Sequence, residues 1–499
     1  MRLNELLNFD NIVIQCHDNP DADALSSGFA LWYYFQKNGK EARFIYRGTR
    51  KLTKYNLLMM IERLNIPVEY DPELTSTPDL LVTVDCQYGQ SNVTDTEATT
   101  IAVIDHHQKS GNTPELTEIR SNLGSCATLI WDMMRTEGID VNENTEVATA
   151  LYYGLYTDTN KLTEINHPLD RDLIDALVTD TDLIREMSNS NISLDELKIT
   201  GKAILGYNYY EKNKCMLIEA EECDPTILGV ISDFALEAEK VNICIAYYRS
   251  PLEIKFSVRS CSKEAQANEI ATFISDGIGG GGGHMFKAGG IIFPEKVKED
   301  IQEYISKKIS EYFDRYQIIY AKNTTLSKIG MDKFEKIPQE VGAVKLTKIF
   351  PINTPVEIRT LEGDIDIVIE ADDYLMIGIE GEIYPIKEAK LRTSYLDFGR
   401  EYSRTFEYSP TIKNILTKEK KTVIEYANAV VGIGRTKIFA RPLKEKEYVK
   451  LFTAWDDDKY YSGKPGDYIA VREDDPHDIY VISGELFERL YKPAKKTFR

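Results

Sequence analysis

Basic charge is in short supply in this chain. Lysines and arginines number 60 against 80 acids, for a formal net charge of −20 over 499 residues. A protein that grips a long nucleic acid carries a basic footprint. The balance therefore argues for a small anionic substrate held by metal and a few local cations, or for a short oligonucleotide. Cysteine is scarce too. The seven (Cys16, Cys86, Cys126, Cys215, Cys223, Cys244 and Cys261) are odd in number and lack paired metal spacing, which argues against a disulfide framework and fits buried thiols in a reducing cytosol. Cys16 and Cys86 read as packing residues at strand ends. No apolar run reaches the roughly 18 residues of a membrane span, and the N-terminus has no basic stretch leading into a long apolar one. The expectation is a soluble, cytoplasmic protein with no membrane contact.

What is present is a recurring placement of metal-ligand side chains. The stretch His17-Asp18-Asn19-Pro20-Asp21-Ala22-Asp23-Ala24 separates a β-branched apolar run, Ile12 to Cys16, from a helix-like segment over Leu25 to Phe35. His17, Asp21 and Asp23 then lie on a strand-to-helix turn at the carboxyl edge of a sheet, where α/β folds bind ligands. Carboxylates with an imidazole and no thiol suit Mn or Mg better than structural zinc. An N-cap aspartate with a solvated neighbour would explain one of the three. Recurrence decides between these readings. A second buried-strand pattern, Leu80 to Val84, ends on Asp85; a third, Ile101 to Ile104, ends on Asp105-His106-His107; and a helical segment from Glu146 to Tyr156 closes on Thr157-Asp158-Thr159. Four separate elements deliver Asp, His or both at their ends.

These four motifs resemble the DHH phosphoesterase superfamily, named for the triplet that stands here as Asp105-His106-His107. The resemblance extends to Gly279-Gly280-Gly281-Gly282-Gly283-His284, followed by Ala288-Gly289-Gly290, which is similar to the signature of the DHH-associated substrate domain. Together the motifs cover roughly residues 1 to 325, leaving the last third outside. The resemblance implies two divalent cations, Mn with Mg as the alternative. It implies His17, Asp21 and Asp158 on one ion, Asp23 and His106 on the other, and Asp85 between them. It also implies hydrolysis by a metal-bound hydroxide, with Asp105 orienting its neighbour and His107 meeting the phosphate. Arg259 and the glycine motif, Gly281, Gly282, Gly283 and His284, would hold the substrate.

The length suggests about three domains at roughly 150 residues each. Residues 1–190 alternate short apolar runs with amphipathic segments, predicting a mostly parallel sheet flanked by helices. The helix predicted over Ser125 to Met134 starts at Gly124-Ser125-Cys126, where backbone N–H groups could receive an anion or Ser125 could serve as an ordinary cap. Residues 194–325 read as a smaller α/β substrate-binding domain, with strands at Met216 to Ile218, Val241 to Tyr247 and Ile254 to Val258 and a helix over Ala265 to Ile274. Arg259 follows the third strand, as a substrate contact or a surface ion pair. The glycine run suggests a backbone bent to turn successive N–H groups on one anion. The remainder, 340–499, is β-rich and carries an internal repeat. Thr347-Lys348-Ile349-Phe350 recurs as Thr436-Lys437-Ile438-Phe439, Asp373-Tyr374-Leu375 as Asp467-Tyr468-Ile469, and the pair Tyr384 and Tyr395 as Tyr480 and Tyr491.

The expected function is a metal-dependent phosphoesterase, similar to the nanoRNase and 3′-phosphoadenosine-5′-phosphate phosphatase group, acting on short oligonucleotides or nucleotide phosphates. A soluble cyclic-dinucleotide phosphodiesterase is the enzymatic alternative. A nucleotide-binding scaffold acting through the C-terminal repeat is the alternative from another class, and it predicts lost ligands, of which none is visible. A homodimer, and a protein partner at the repeat, are left open.

Overall fold

The computed structural model of the chain describes residues 1–90, 92–109, 111, 113–165, 167–262, 264–360, 363–379, 381–433, 437–454 and 460–494. They form two compact units, each assembled from segments distant in the chain. Unit 1 holds 1–193, 341–391 and 397–430, and unit 2 holds 194–340, 392–396 and 431–499. The C-terminal third is thus divided between them.

Unit 1 begins with strands β1 (Ile12–Cys16), β2 (Ala42–Tyr46), β3 (Val68–Tyr70), β4 (Leu80–Val84), β5 (Thr100–Asp105) and β6 (Leu116–Ile119). They form one sheet in the order β3-β2-β1-β4-β5-β6, and every neighbouring pair is parallel. A parallel sheet needs cover on both faces, which explains why all five residues of β1 and of β4 are buried. From β1 the chain winds outward to β3, then returns to lay β4 on the other side of β1. That reversal opens a crevice beyond the carboxyl ends of β1 and β4, the usual ligand position in such sheets.

Helix α1 (Ala22–Lys37) is buried nearly all round, with 13 of its 16 residues inaccessible. At Gly28 a Cβ would lie 2.1 Å from the Phe44 ring, so only glycine lets α1 sit this close to β2. Helices α2 (Tyr55–Arg63), α3 (Cys126–Thr136), α4 (Thr145–Asp158), α5 (Pro168–Ala176) and α6 (Thr181–Ser188) complete this part. The core runs from Leu6 and Ile14 through Phe29, Tyr34 and Phe35 to Ile130, Leu151 and Tyr153. The predicted strands and helices of this region are present.

Unit 2 opens with α7 (Leu194–Leu205) and continues through β7 (Asn208–Tyr210), β8 (Cys215–Ala220), α8 (Pro225–Leu236), β9 (Ile243–Arg249), β10 (Ile254–Ser260), α9 (Ala267–Ser275), β11 (Gly279–Gly283), β12 (Lys287–Ile292) and α10 (Ile301–Arg315). Its sheet, ordered β11-β12-β10-β9-β8-β7, is mixed: β8 and β9 are parallel, while β10 is antiparallel to β9 and β12.

Beyond it lie β13 (Tyr316–Tyr320), β14 (Asp332–Lys336), β15 (Glu340–Lys345), β16 (Pro355–Arg359), β17 (Asp364–Val368), β18 (Asp373–Ile377), β19 (Ile383–Lys387), α11 (Glu388–Ser394), β20 (Tyr395–Glu401), β21 (Thr411–Asn414), β22 (Lys420–Thr422) and β23 (Asn428–Gly432). The chain ends with β24 (Lys437–Pro442), β25 (Tyr448–Phe452), β26 (Tyr461–Gly463), β27 (Tyr468–Arg472), β28 (Ile479–Ile482), α12 (Gly484–Leu490) and β29 (Tyr491–Pro493). Two five-stranded sheets result, β19-β18-β15-β23-β20 and β28-β27-β24-β14-β29. They are copies of one plan, and the predicted tyrosine echoes fall at equivalent places. Tyr384 pairs with Met376, two residues past Tyr374, and Tyr480 pairs with Ala470, two past Tyr468. Tyr395 and Tyr491 each open a strand directly after a seven-residue helix.

The Thr-Lys-Ile-Phe echo is corrected. Thr347 and Lys348 sit in a 3-10 turn, whereas Lys437 to Phe439 open β24, and Thr436 lies outside the described residues. Because β14 precedes β15 in sequence but pairs with β24, the first copy is inserted within the second. Smaller sheets complete each copy, β17-β16-β21-β22 in the first and β13-β25-β26 in the second. Among the described residues no helix is long and apolar enough to cross a membrane.

Candidate metal centre

The carboxyl ends of β1, β4 and β5 and the end of α4 converge, because the strand order sets β1, β4 and β5 side by side. His17 follows β1, Asp85 follows β4, Asp105 closes β5 and Asp158 closes α4. Asp21 caps α1, its Oδ1 accepting Ala24 N–H at 3.0 Å, and the capping bond leaves Oδ2 toward His17 Nε2, 3.9 Å away. His17 Nε2 is also 3.6 Å from Asp85 Oδ2. On the other side of Asp85, His106 Nε2 lies 3.4 Å from its Oδ1, 3.6 Å from Asp23 Oδ2 and 3.2 Å from Asp158 Oδ2.

Asp85 joins Asp105 and His107 in one donor set, and the predicted metal ligands themselves make two more, His17-Asp21-Asp85 and Asp23-Asp85-His106, with the donor atoms of each set within 4.8 Å of one another. Asp85 belongs to both. It also has φ +56°, in the left-handed region that side-chain-bearing residues seldom adopt. Its buried Oδ1 makes no hydrogen bond to the described residues, a costly condition for a carboxylate oxygen unless a cation meets it. The donors are oxygens and imidazole nitrogens with no thiol, matching hard or borderline divalent cations. Asp158 stands against His106, whereas the resemblance grouped it with His17 and Asp21.

Neighbouring groups fix these side chains. The Asp23 carboxylate lies across the first turn of α3, accepting Cys126 N–H at 2.7 Å and Ala127 N–H at 2.8 Å. The anion expected at that helix start is thus Asp23 itself, and Ser125 also caps the helix by accepting Thr128 N–H. His106 Nδ1 bonds the Leu123 carbonyl at 3.2 Å, which leaves Nε2 for the cluster. Asp105 Oδ1 accepts the His106 N–H at 2.9 Å and bonds His107 Nδ1 at 2.8 Å, while its Oδ2 accepts from Gln87 Nε2 at 2.7 Å. Sequence reasoning passed over Gln87, the Leu123 carbonyl and Asp170, whose Oδ2 accepts the Gly124 N–H at 3.0 Å. None stands in a motif, so only the fold reveals them.

Pooled negative charge shapes the titration of the cluster. Burial works against an imidazolium at His17, but Asp21 and Asp85 outweigh it and raise the pKa to about 10. His106 is raised in the same way by Asp158 and Asp85, against its burial. Asp23 is held well above the carboxylate range by burial and by the charge of Asp85. Burial would raise Asp105 as well, yet its bond to His107 brings it down to about 2. The same negative potential is what a pair of divalent cations would neutralise.

The substrate-motif residues lie in unit 2. Gly281, Gly282 and Gly283 form part of the extended strand β11, antiparallel to β12, so the run is not bent as expected, and only Gly283 within it has a positive φ, +139°. Packing is what demands glycine here. A Cβ at Gly281 would lie 2.5 Å from the Ala271 carbonyl of α9. His284 follows in the hairpin turn, its N–H donating to the Lys287 carbonyl at 2.7 Å. Arg259 lies within β10, where its Nε donates to Asp233 at 2.6 Å.

Comparison with known proteins gives a consistent picture. Residues 11–155 match the DHH family, N-terminal domain. Two proteins of Methanocaldococcus jannaschii are similar over more of the chain. MJ1633 is 23% identical over 313 residues, covering 60% of this chain and 63% of its own length. MJ0988 is 24% identical over 338 residues, covering 64% and 99%. The chain thus spans just under two thirds of MJ1633. The crystal structure of an exopolyphosphatase-related protein from Bacteroides fragilis superposes with a TM-score of 0.50 at 18% identity, covering 62% of this chain and 96% of that one, a likeness of fold. With its parallel sheet, its motifs in register and this match, residues 11–155 form a DHH-family N-terminal domain.

Proposed function

We propose that the cluster is a two-cation phosphoesterase centre that hydrolyses short oligonucleotides or nucleotide phosphates. One observation carries the reading: Asp85, held in a left-handed conformation, is shared by two donor sets. His17, Asp21 and Asp85 would hold one divalent cation and Asp23, Asp85 and His106 the other, with Asp158 beside His106; Mn or Mg suits the donors. Such a pair, when bound, supplies an acidified water and a clamp on phosphoryl oxygens.

The chain's own groups do the rest. Asp23 keeps its orientation through two backbone N–H bonds, so the second donor set is preorganised. His107, partly exposed beside the buried set, is held through Nδ1 by Asp105. Its Nε2 then faces away from that bond and serves as a donor to a phosphate oxygen. The excess of acids over bases disfavours long, uniformly charged strands.

The test is Mn-dependent hydrolysis of a 5′-labelled RNA ladder, dinucleotide to pentanucleotide, beside 3′-phosphoadenosine-5′-phosphate and cyclic di-AMP. Mononucleotide release or phosphate removal, abolished by Asp85→Ala, is expected. Turnover of cyclic di-AMP alone would replace the substrate assignment, and metal binding with no turnover of any of the three would overturn the enzymatic one.

A further inference from the structure

The first β-rich copy and the helices of the DHH part border an open pocket of about 560 Å³ within unit 1, lined by none of the metal-cluster residues. Its walls come from α3, α5, β16, β21, β22 and the turn before β22. Five cations line it, Arg135, Arg359, Lys413, Lys418 and Lys420, against the carboxylates Asp172, Asp175 and Glu357. Such a concentration is unusual in a chain with 20 more acids than bases.

The five cations differ in how firmly they are engaged. Arg359 is 5% exposed and fully committed, with Nη1 2.6 Å from Asp172 and Nη2 2.9 Å from Asp364. It forms a floor. Lys420 shares Asp172 at 2.6 Å. Lys413 is loosely held, 3.4 Å from Asp175 and 3.6 Å from Glu357. Lys418, at φ +64° in the turn, makes no ion pair among the described residues. Arg135 bonds Asp132 and sits over the Trp131 ring, its guanidinium carbon 4.8 Å from the centroid.

We propose that this pocket binds a nucleoside monophosphate, with Lys413 and Lys418 taking the phosphate and the Arg135–Trp131 pair taking the base. Ammonium groups with weak ion pairs or none gain by meeting a dianion, and a planar guanidinium backed by an indole offers a face on which a base stacks. The volume suits a ligand of that size. The site shares no residue with the metal cluster, so the inference stands whether or not the phosphoesterase reading does.

Full-length Asp85→Asn protein, stripped with chelator to silence the metal centre, is titrated calorimetrically with AMP, adenosine and inorganic phosphate. One AMP per chain is expected, with adenosine and phosphate each at least tenfold weaker. Lys413→Ala/Lys418→Ala, with an unchanged melting temperature, should weaken AMP at least tenfold, and Arg135→Ala should weaken AMP while sparing phosphate. Absence of AMP binding, or binding that the lysine pair does not alter, would overturn the proposal. Phosphate as tight as AMP would overturn the nucleotide class. Should the double variant melt early, Lys418→Glu alone, at the cation with no ion pair among the described residues, is the deciding substitution.

Discussion

Asp170 Oδ2 accepts the backbone N–H of Gly124 at 3.0 Å, and this bond joins α5 to the start of the helix whose first turn holds Asp23. Asp170 is fully buried, and burial pushes its pKa up to about 6 against the opposing hydrogen bonds from the Thr128 side chain and the Gly124 N–H. The folded protein therefore retains a proton there that the unfolded chain releases near the ordinary carboxyl value. A raised folded pKa means the native state binds more protons between about pH 4 and 6, so stability falls as pH rises through that window. The penalty is complete above it, on the order of 3 kcal/mol. Denaturant unfolding in chelator should show wild type losing this much relative to Asp170→Asn between pH 4 and 6.5, while parallel curves would remove Asp170 as the cause.

The bond from Asp105 to His107 Nδ1 predicts a split between binding and chemistry. Asp105→Asn keeps the side-chain shape and the contact to the His106 N–H, but loses the charge that orients His107. Groups one shell out from a metal site are typically worth about 10–100-fold. The expected outcome is a fall in kcat of that size with Mn affinity and KM within about threefold of wild type, measured on the substrate that the RNA ladder identifies. An equal loss in Mn affinity would instead assign Asp105 to holding the cluster together.

The difference between what was legible and what was not follows the range of the interactions. The parallel sheet shows in the sequence because buried strands read as continuous apolar runs, with Asp85 and Asp105-His106-His107 at the ends of two of them and Asp158 at the end of a periodic helix. The glycine run did not disclose its conformation, since five glycines serve a tight strand as well as a bent loop; contact with Ala271 on α9 decides it. The repeat was visible through its tyrosines but not its nesting, because β14 joins β24 across about a hundred intervening residues. Asp170 and Gln87 matter through single hydrogen bonds to distant segments, which leave no periodic trace.

Lys450 predicts a stability effect confined to unit 2. It is 1% exposed, and its ammonium donates to the Glu264 carbonyl at 2.6 Å, the Tyr312 hydroxyl at 2.7 Å and the Glu269 carboxylate at 3.0 Å. The rings of Tyr312, Tyr316 and Tyr460 surround it at 4.3–4.7 Å. Removing one partner of a buried pair strands the other, so Lys450→Met should cost about 3 kcal/mol, or about 6–12 °C in melting temperature. Adding Glu269→Gln should recover part of the loss, since the stranded carboxylate is then gone. If the double variant is worse than the sum of the singles, packing in the tyrosine cage and not charge holds this region.

The left-handed φ of Asp85 allows function and backbone strain to be separated. Alanine at an ordinary position is favoured over glycine, because glycine has more freedom to lose on folding. At φ +56° the order reverses: a Cβ in this region costs about 1–2 kcal/mol, which exceeds glycine's entropic disadvantage. Both substitutions delete the carboxylate shared by the two donor sets, so both should abolish Mn-dependent hydrolysis and weaken Mn binding by at least about 100-fold. Asp85→Gly should nevertheless melt about 2–4 °C above Asp85→Ala in chelator, the shift expected for about 1 kcal/mol. Aspartate tolerates this conformation better than alanine but worse than glycine, so its presence at the junction of β4 reflects the donor atom and not the turn. An alanine variant as stable as the glycine variant would mean the chain relaxes out of the left-handed region once the carboxylate is gone. The conformation would then be imposed by the cluster rather than supplied to it.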